Sequence, residues 1–201
     1  GGEKNFNKKM DSVFTVPNTV HVGTYGGKIH EMTEMEMANM GQYAHGNQPI
    51  QHMIYLYNYS GKPWKAQQRS REIMSKLYSY TENGYPGDED QGQTSSWYVL
   101  SAMGFYSVCP GTDEYVLGSP VFEKITITLE NGKKFIISAK NNSEKNIYIN
   151  KANLNSVEFT KNYLTYGQII QGGNFELEMS QKPNKSRGIH ELDKPFSLTK
   201  N

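Results

Sequence analysis

Three acidic residues stand together in Asp88-Glu89-Asp90, inside the glycine- and proline-punctuated stretch 82–92. Asp88 and Asp90 are one residue apart, so an extended backbone turns both carboxylates to one side and Glu89 to the other. Two carboxylates held close raise each other's pKa, which suits one of them to act as a base near neutral pH. A solvated acidic turn has the same spacing, and the residues alone leave both readings open. An EF-hand calcium loop does not fit. Counted from Asp88, position five is Gly92 and position twelve is Val99, where that loop needs oxygen-bearing side chains.

Two further groups carry potential chemistry. His30-Glu31 opens a His-Glu-x-x-Glu run and lacks the second histidine of a zinc-peptidase helix; a solvated surface pair reads the same way, and Glu34 and Glu36 read as charges on a helix face. The turn Gly41-Gln42-Tyr43-Ala44-His45-Gly46-Asn47-Gln48-Pro49 precedes an apolar run, so Asn47 reads as a helix cap. Side-chain and main-chain oxygens at such a turn also suit a hard cation, which takes oxygen ligands. His45 and His52 are either ligands or hydrogen-bonded core residues. The single cysteine, Cys109, excludes a disulfide framework and reads as a small buried hydrophobe in a Cys-Pro-Gly turn.

These residues need elements to position them. Pro49 is suited to the first turn of a helix, and Ile50, Met53, Ile54 and Tyr57 follow at helical spacing. Pro63 opens a second helix with Trp64, Ala66, Ile73, Leu77 and Tyr80 on its buried stripe. A third is expected from Thr94 to Met103, burying Trp97, Leu100 and Ala102 and stopped by Gly104. From Tyr115 the pattern alternates. Ile125, Ile127 and Leu129 share one face, Asn131-Gly132 signals a hairpin, and Phe135 and Ile137 follow. Further strands are expected at 146–150, 156–160, 168–171 and 174–179. The chain from Pro183 on is polar and reads as extended against the surface or disordered. Three helices beside an open sheet leave apolar faces that need a cover, which points to further sequence upstream.

Composition narrows the class. The 201 residues are 36% hydrophobic and 20% charged, which describes a folded globular chain. A formal charge of +1 leaves no basic footprint for nucleic acid. No apolar run reaches the roughly 20 residues of a membrane span. The first residues lack a signal peptide's layout, so an export signal would lie upstream. Fourteen tyrosines and two tryptophans suit a sugar-binding cleft, and equally a core.

Several segments, in order and spacing, carry a resemblance: Gly46-Asn47-Gln48-Pro49, the run from Tyr55 to Trp64, Pro86-Gly87-Asp88-Glu89-Asp90-Gln91-Gly92-Gln93, the run from Trp97 to Tyr106, Cys109-Pro110-Gly111 and the closing Lys182-Pro183-Asn184. From His30 to Asn184 the chain resembles the C-terminal region of the glycoside hydrolase family 92 α-mannosidases. The resemblance implies an α+β chain: residues 1–110 as the last helical hairpins of an (α/α)6 barrel, 111–184 as an antiparallel β-sandwich-like element, and 185–201 as a polar tail. It implies an exo-acting, calcium-dependent, inverting mannosidase acting on mannose-containing glycans, periplasmic or extracellular. Asp88 and Asp90 match the family's candidates for the general base. His30 and Glu31 match the pair lining the leaving-sugar site, associated with α-1,2 preference. Calcium falls to Asn47 and the Gln48 carbonyl as part of its shell. The family's general acid, a glutamate in an upstream Glu-Gly-Asn segment, has no counterpart here, so the chain alone is expected to be inactive. An α-1,3 or α-1,6 mannosidase and a non-catalytic carbohydrate-binding module are the alternatives.

Overall fold

The computed structural model describes residues 1–198 and has the α+β class expected. Its order is α1 (Gly2–Val13), α2 (His30–Ala38), α3 (Pro63–Leu77), α4 (Gln93–Met103), β1 (Phe105–Tyr106), β2 (Glu114–Leu117), β3 (Lys124–Thr128), β4 (Lys134–Lys140), β5 (Tyr148–Leu154), β6 (Val157–Glu158), β7 (Tyr163–Thr165), α5 (Tyr166–Ile170) and β8 (Gly173–Ser180). The chain divides into two compact units, residues 1–53 with 72–98, and residues 54–71 with the chain from 99 onward.

The first unit holds α1, α2, the turn at 41–50 and the acidic loop. The sequence pattern did not reveal α1, whose only buried side chains are Asn7 and Met10. Its interior is aromatic. Trp97 is fully buried, stacks 5.8 Å from Tyr78 and meets the His45 ring edge-on at 4.3 Å.

In the second unit β3, β4, β8, β5 and β6 form a five-stranded sheet in that order, and β1, β2 and β7 a three-stranded one. The larger sheet is mixed, because β4 and β8 run parallel while its other pairs are antiparallel. Along β8, Phe175, Leu177 and Met179 are buried while Asn174, Glu176 and Glu178 are exposed, the period-two pattern of a strand with one packed face. Phe135, Ile137, Ile149 and Leu164 join that core. Leu100, Met103, Phe105, Tyr115, Ile127 and Ile169 are among the residues lining an open apolar groove of about 540 Å³.

The Asn131-Gly132 hairpin forms, with Thr128 opposite Lys134. It is a longer turn than the two-residue type: Gly132 donates to the Leu129 carbonyl at 2.9 Å, and Gly132 alone of the pair has a positive φ, 77°.

Several segments differ from the sequence reading; the strands expected at 146–150 and 156–160 are β5 at Tyr148–Leu154 and β6 at Val157–Glu158. Residues 48–50 and 53–58 are 3₁₀ turns where an α-helix was expected. The carbonyls an α-helix would use are engaged sideways: Gln51 O accepts from the Trp97 indole at 3.1 Å, and Tyr55 O from Asn58 Nδ2 at 2.9 Å. Residues 168–171, expected as a strand, lie in and just after α5. The Thr165 hydroxyl accepts from Gln168 N, and Gln168 Oε1 accepts from Thr165 N, a complete capping box. Helix α3 ends at Leu77, so Tyr80 is fully exposed.

Cys109 is exposed and free rather than buried, in a turn whose neighbours Pro110 and Gly111 are exposed too. The polar stretch after Pro183 lies largely exposed and is anchored at a few residues, Arg187, Gly188, Asp193 and Pro195 being buried. Asn162 N donates to the Asp193 carbonyl at 2.8 Å, and Asn162 Nδ2 to the Gly188 carbonyl at 2.6 Å. Residues 199–201 of that stretch lie outside the described residues.

Candidate active site

The acidic loop is held in place by its neighbours. Gln48 Nε2 donates to the Asp88 carbonyl at 2.8 Å, and Thr94 Oγ1 donates to the same oxygen at 3.0 Å. Two adjacent residues, Asp90 and Gln91, take the left-handed conformation, with φ of 52° and 57°. The backbone is therefore not extended through the triplet, and simple alternation does not describe it. Glu89 turns onto the start of α4, where its carboxylate accepts from Gly92 N at 2.7 Å and Ser95 N at 3.2 Å. Hydrogen bonds from Ser95 and then from Gly92 hold this carboxyl below its usual range. Glu89 thus satisfies the amide groups at the helix start and leaves Asp88 and Asp90 exposed to solvent.

Helix α2 brings the second group to the same place. His30 Nε2 is 3.4 Å from Glu31 Oε1 and 3.6 Å from Asp88 Oδ2. At these exposures such a contact is worth little to stability. It nonetheless brings three of the residues singled out in the sequence, 58 positions apart at the extremes, into one cluster.

Glu34 is the residue that sequence reading missed. One turn along α2 from His30 and Glu31, it lies against the glycines on which the loop closes. A Cβ on Gly46 would come 2.5 Å from Glu34 Oε2 and 2.5 Å from the Pro86 carbonyl. A Cβ on Gly87 would come 2.7 Å from Glu34 Oε2 and 2.7 Å from the Gly46 Cα. Burial raises the Glu34 carboxyl above its usual range; His30 opposes this, while Asp88, Glu31 and Asp90 add to it. The available signal was its i+4 spacing from His30, which places both on one helix face. Glu36, the other charge in that run, pairs with Lys28 at 2.6 Å.

The two glycines let two backbones touch, and no side chain fits between them. Gly87→Ala should destabilise the chain by about 1–3 kcal/mol, because the neighbours it meets are backbone and a partly buried carboxyl. Urea unfolding measures this, and an unchanged midpoint would show that the loop tolerates displacement.

His45, in the turn at 41–50, and His52, just after it, have different environments. His45 is 1% exposed, with Nδ1 2.8 Å from the Tyr43 hydroxyl and Nε2 2.8 Å from that of Tyr78. Burial pushes its pKa down to about 3, so it is a neutral core residue with both nitrogens engaged. His52 is exposed. Asn47 sits at the N-cap position of the 48–50 turn, but its side chain makes no capping bond. The Gln48 carbonyl accepts from Gln51 N at 3.0 Å. Asn47 Oδ1 and the Gln48 carbonyl are hard oxygens of the kind calcium takes, two of the six to eight it needs. Among the described residues no three His, Cys, Asp or Glu side chains group to hold a metal.

Comparison with known proteins gives the class of the chain that carries this carboxylate cluster: a glycosidase catalytic domain. The family model for the glycosyl hydrolase family 92 catalytic domain matches residues 1–181. The chain belongs to glycoside hydrolase family 92. It is similar over 98% of its length to a family GH92 inverting mannosidase of Bacteroides thetaiotaomicron, at 55% identity and a TM-score of 0.84, covering 27% of that chain. A family GH92 α-mannosidase of the same organism, solved with mannoimidazole, aligns at 36% identity and a TM-score of 0.87, again over 98% of this chain and 25% of its own. An uncharacterized secreted glycosidase of Arthroderma benhamiae is 28% identical over 194 residues, which are 94% of this chain and 25% of that protein. The chain thus spans about a quarter of the length of these relatives. Among the described residues no helix is long and apolar enough to cross a membrane.

Proposed function

We propose that this chain is part of a calcium-dependent, inverting, exo-acting α-1,2-mannosidase that releases terminal mannose from glycans outside the cytoplasm, in the periplasm or beyond the cell. The observation that carries this reading is the meeting of Asp88 with His30 and Glu31 beside Glu34, in a chain of this family. An inverting glycosidase needs a base carboxylate on one face of the sugar and an acid on the other, about 6.5–9.5 Å apart, with water between. Asp88 and Asp90 supply the base side: exposed, pinned through their backbone, and free of the helix-capping role that Glu89 takes. The acid would come from residues outside this chain, so the 201 residues alone would not turn over substrate. Asn47 Oδ1 and the Gln48 carbonyl would give calcium two neutral ligands, with the Glu34 carboxyl as the nearby anionic oxygen. Calcium there would hold sugar hydroxyls and help distort the ring. The secreted description of the Arthroderma relative supports the location.

His30 and Glu31 would receive the sugar being released. Glu31 accepts hydrogen bonds from sugar hydroxyls, and His30 donates or accepts. In the full-length protein, Glu31→Ala should slow turnover of α-1,2-mannobiose roughly ten- to a hundred-fold, the worth of a hydrogen bond to a charged group. An aryl mannoside, whose leaving group has no hydroxyls, should be little affected. Equal loss on both substrates would move Glu31 into the catalytic or structural machinery, and with it the α-1,2 assignment would lose its support. An α-1,3 or α-1,6 enzyme would show its higher turnover on the corresponding disaccharide.

A further inference from the structure

Asn83 and Asn131 both precede glycine, and both stand in the same tripeptide, Glu-Asn-Gly. Asparagine is thermally labile, most so before glycine, which has no side chain to keep its nitrogen away from the asparagine amide carbon. Local sequence gives the two sites the same tendency, so a difference between them comes from the fold. At Asn131 every reacting group is held. Nδ2 donates to the Ile170 carbonyl at 2.9 Å, Oδ1 accepts from Lys133 N at 3.0 Å, and the Gly132 N–H donates to the Leu129 carbonyl at 2.9 Å. Asn83 is exposed in the turn 79–84 that follows α3, which closes where Ser79 N donates to the Gly84 carbonyl at 3.1 Å. Among the described residues neither the Asn83 side-chain amide nor the Gly84 N–H has a hydrogen-bond partner.

We propose that Asn83 is a site of spontaneous deamidation, from which the β3–β4 hairpin protects Asn131. The Gly84 nitrogen, losing its proton to base, bonds to Asn83 Cγ; the Cγ–Nδ2 bond breaks and ammonia leaves, which closes a succinimide ring. Water then opens the ring at one carbonyl or the other and gives aspartate or isoaspartate at position 83. Nothing is oxidised or reduced: water is taken up and ammonia released. Both products add a carboxylate to a segment that already carries Glu82, Asp88, Glu89 and Asp90. Isoaspartate also lengthens the backbone by a carbon ahead of Gly84, which is packed against its own turn. A Cβ there would come 2.5 Å from the Ser79 carbonyl oxygen and 3.0 Å from that of Thr81. The turn must open to take the extra carbon, directly before Tyr85, whose hydroxyl lies 2.8 Å from that of Ser95 at the start of α4. This chemistry stands whether or not Asp88 and Asp90 are the catalytic base.

The test is incubation of the full-length protein in warm, mildly alkaline buffer, followed by digestion with trypsin, which places Asn83 and Asn131 in different peptides. Mass spectrometry reads the amide-to-acid conversion in each, and labelling by an isoaspartyl methyltransferase reads the isoaspartate. Three hydrogen bonds must open at Asn131 before its ring can close, so Asn83 should convert roughly ten- to a thousand-fold faster. Unfolded in guanidinium chloride, the two should convert at similar rates, since only their shared local sequence then acts. Asn83→Gln should remove the conversion from its peptide and leave that of Asn131 unchanged. Equal rates at the two sites in the folded protein, or a slower Asn83, would overturn the proposal. So would a preference for Asn83 that persists unchanged in guanidinium chloride, because it would then owe nothing to the fold.

Discussion

Replacing Asp88 or Asp90 by asparagine in the full-length protein should lower mannoside turnover by roughly 10²–10⁴-fold, the range lost with a positioned acid or base. Stability should hardly change. The Asp88 side chain is 71% exposed and the Asp90 residue is also exposed, and surface substitutions of this kind stay within about 0.5 kcal/mol. The loop should keep its shape, because Gln48 and Thr94 hold it by the Asp88 carbonyl and Glu89 anchors it by its own carboxylate. The variant that loses the larger factor identifies the base, and the other is then its electrostatic partner. Steady-state kinetics alongside thermal unfolding separates the effects. Turnover within tenfold of the parent in both variants would return this loop to the solvated acidic turn that its spacing also allows.

The largest stability effect should come from Trp97→Ala. The indole is fully buried, meets the rings of His45 and Tyr78, and donates to the Gln51 carbonyl at 3.1 Å. Truncating a buried tryptophan costs about 3–5 kcal/mol through lost contacts and the cavity left behind. The Gln51 carbonyl would also lose its indole donor, on the segment that presents Gln48 to the loop. Trp97→Phe should recover part of the loss, since it restores one packed ring but lacks the hydrogen bond and the volume of the second ring. Urea denaturation followed by circular dichroism checks both variants. A loss below about 1 kcal/mol for alanine would mean that the aromatic cluster closes over the gap.

What could be read from the residues was whatever repeats over short distances. The alternation in β8, the β3–β4 hairpin, the start of α3 at Pro63 and the extent of α4 with Gly104 as the stop follow from periodicity and turn chemistry, which act between near neighbours. The same holds for the candidate site residues as types: an aspartate pair, a His-Glu pair and a turn rich in oxygen atoms. The capping box at Thr165 and Gln168 was legible too, but the alternating run around it led to a strand assignment.

The rest depends on partners distant in sequence. Residues 50–57 have helical spacing, yet the Trp97 indole and the Asn58 amide take carbonyls that an α-helix would use. Whether His45 binds a metal or fills a core is decided by hydroxyls at positions 43 and 78, and Tyr78 lies 33 residues away. Glu34 looks like any surface charge until Gly46 and Gly87 close beside it. Asp88 and His30 are 58 residues apart and lie in different elements. The sequence by itself determined which groups were available and most of the local structure around them. Only the tertiary structure decided which of them meet, because burial and side-chain hydrogen bonds act across space and leave no periodic trace along the chain.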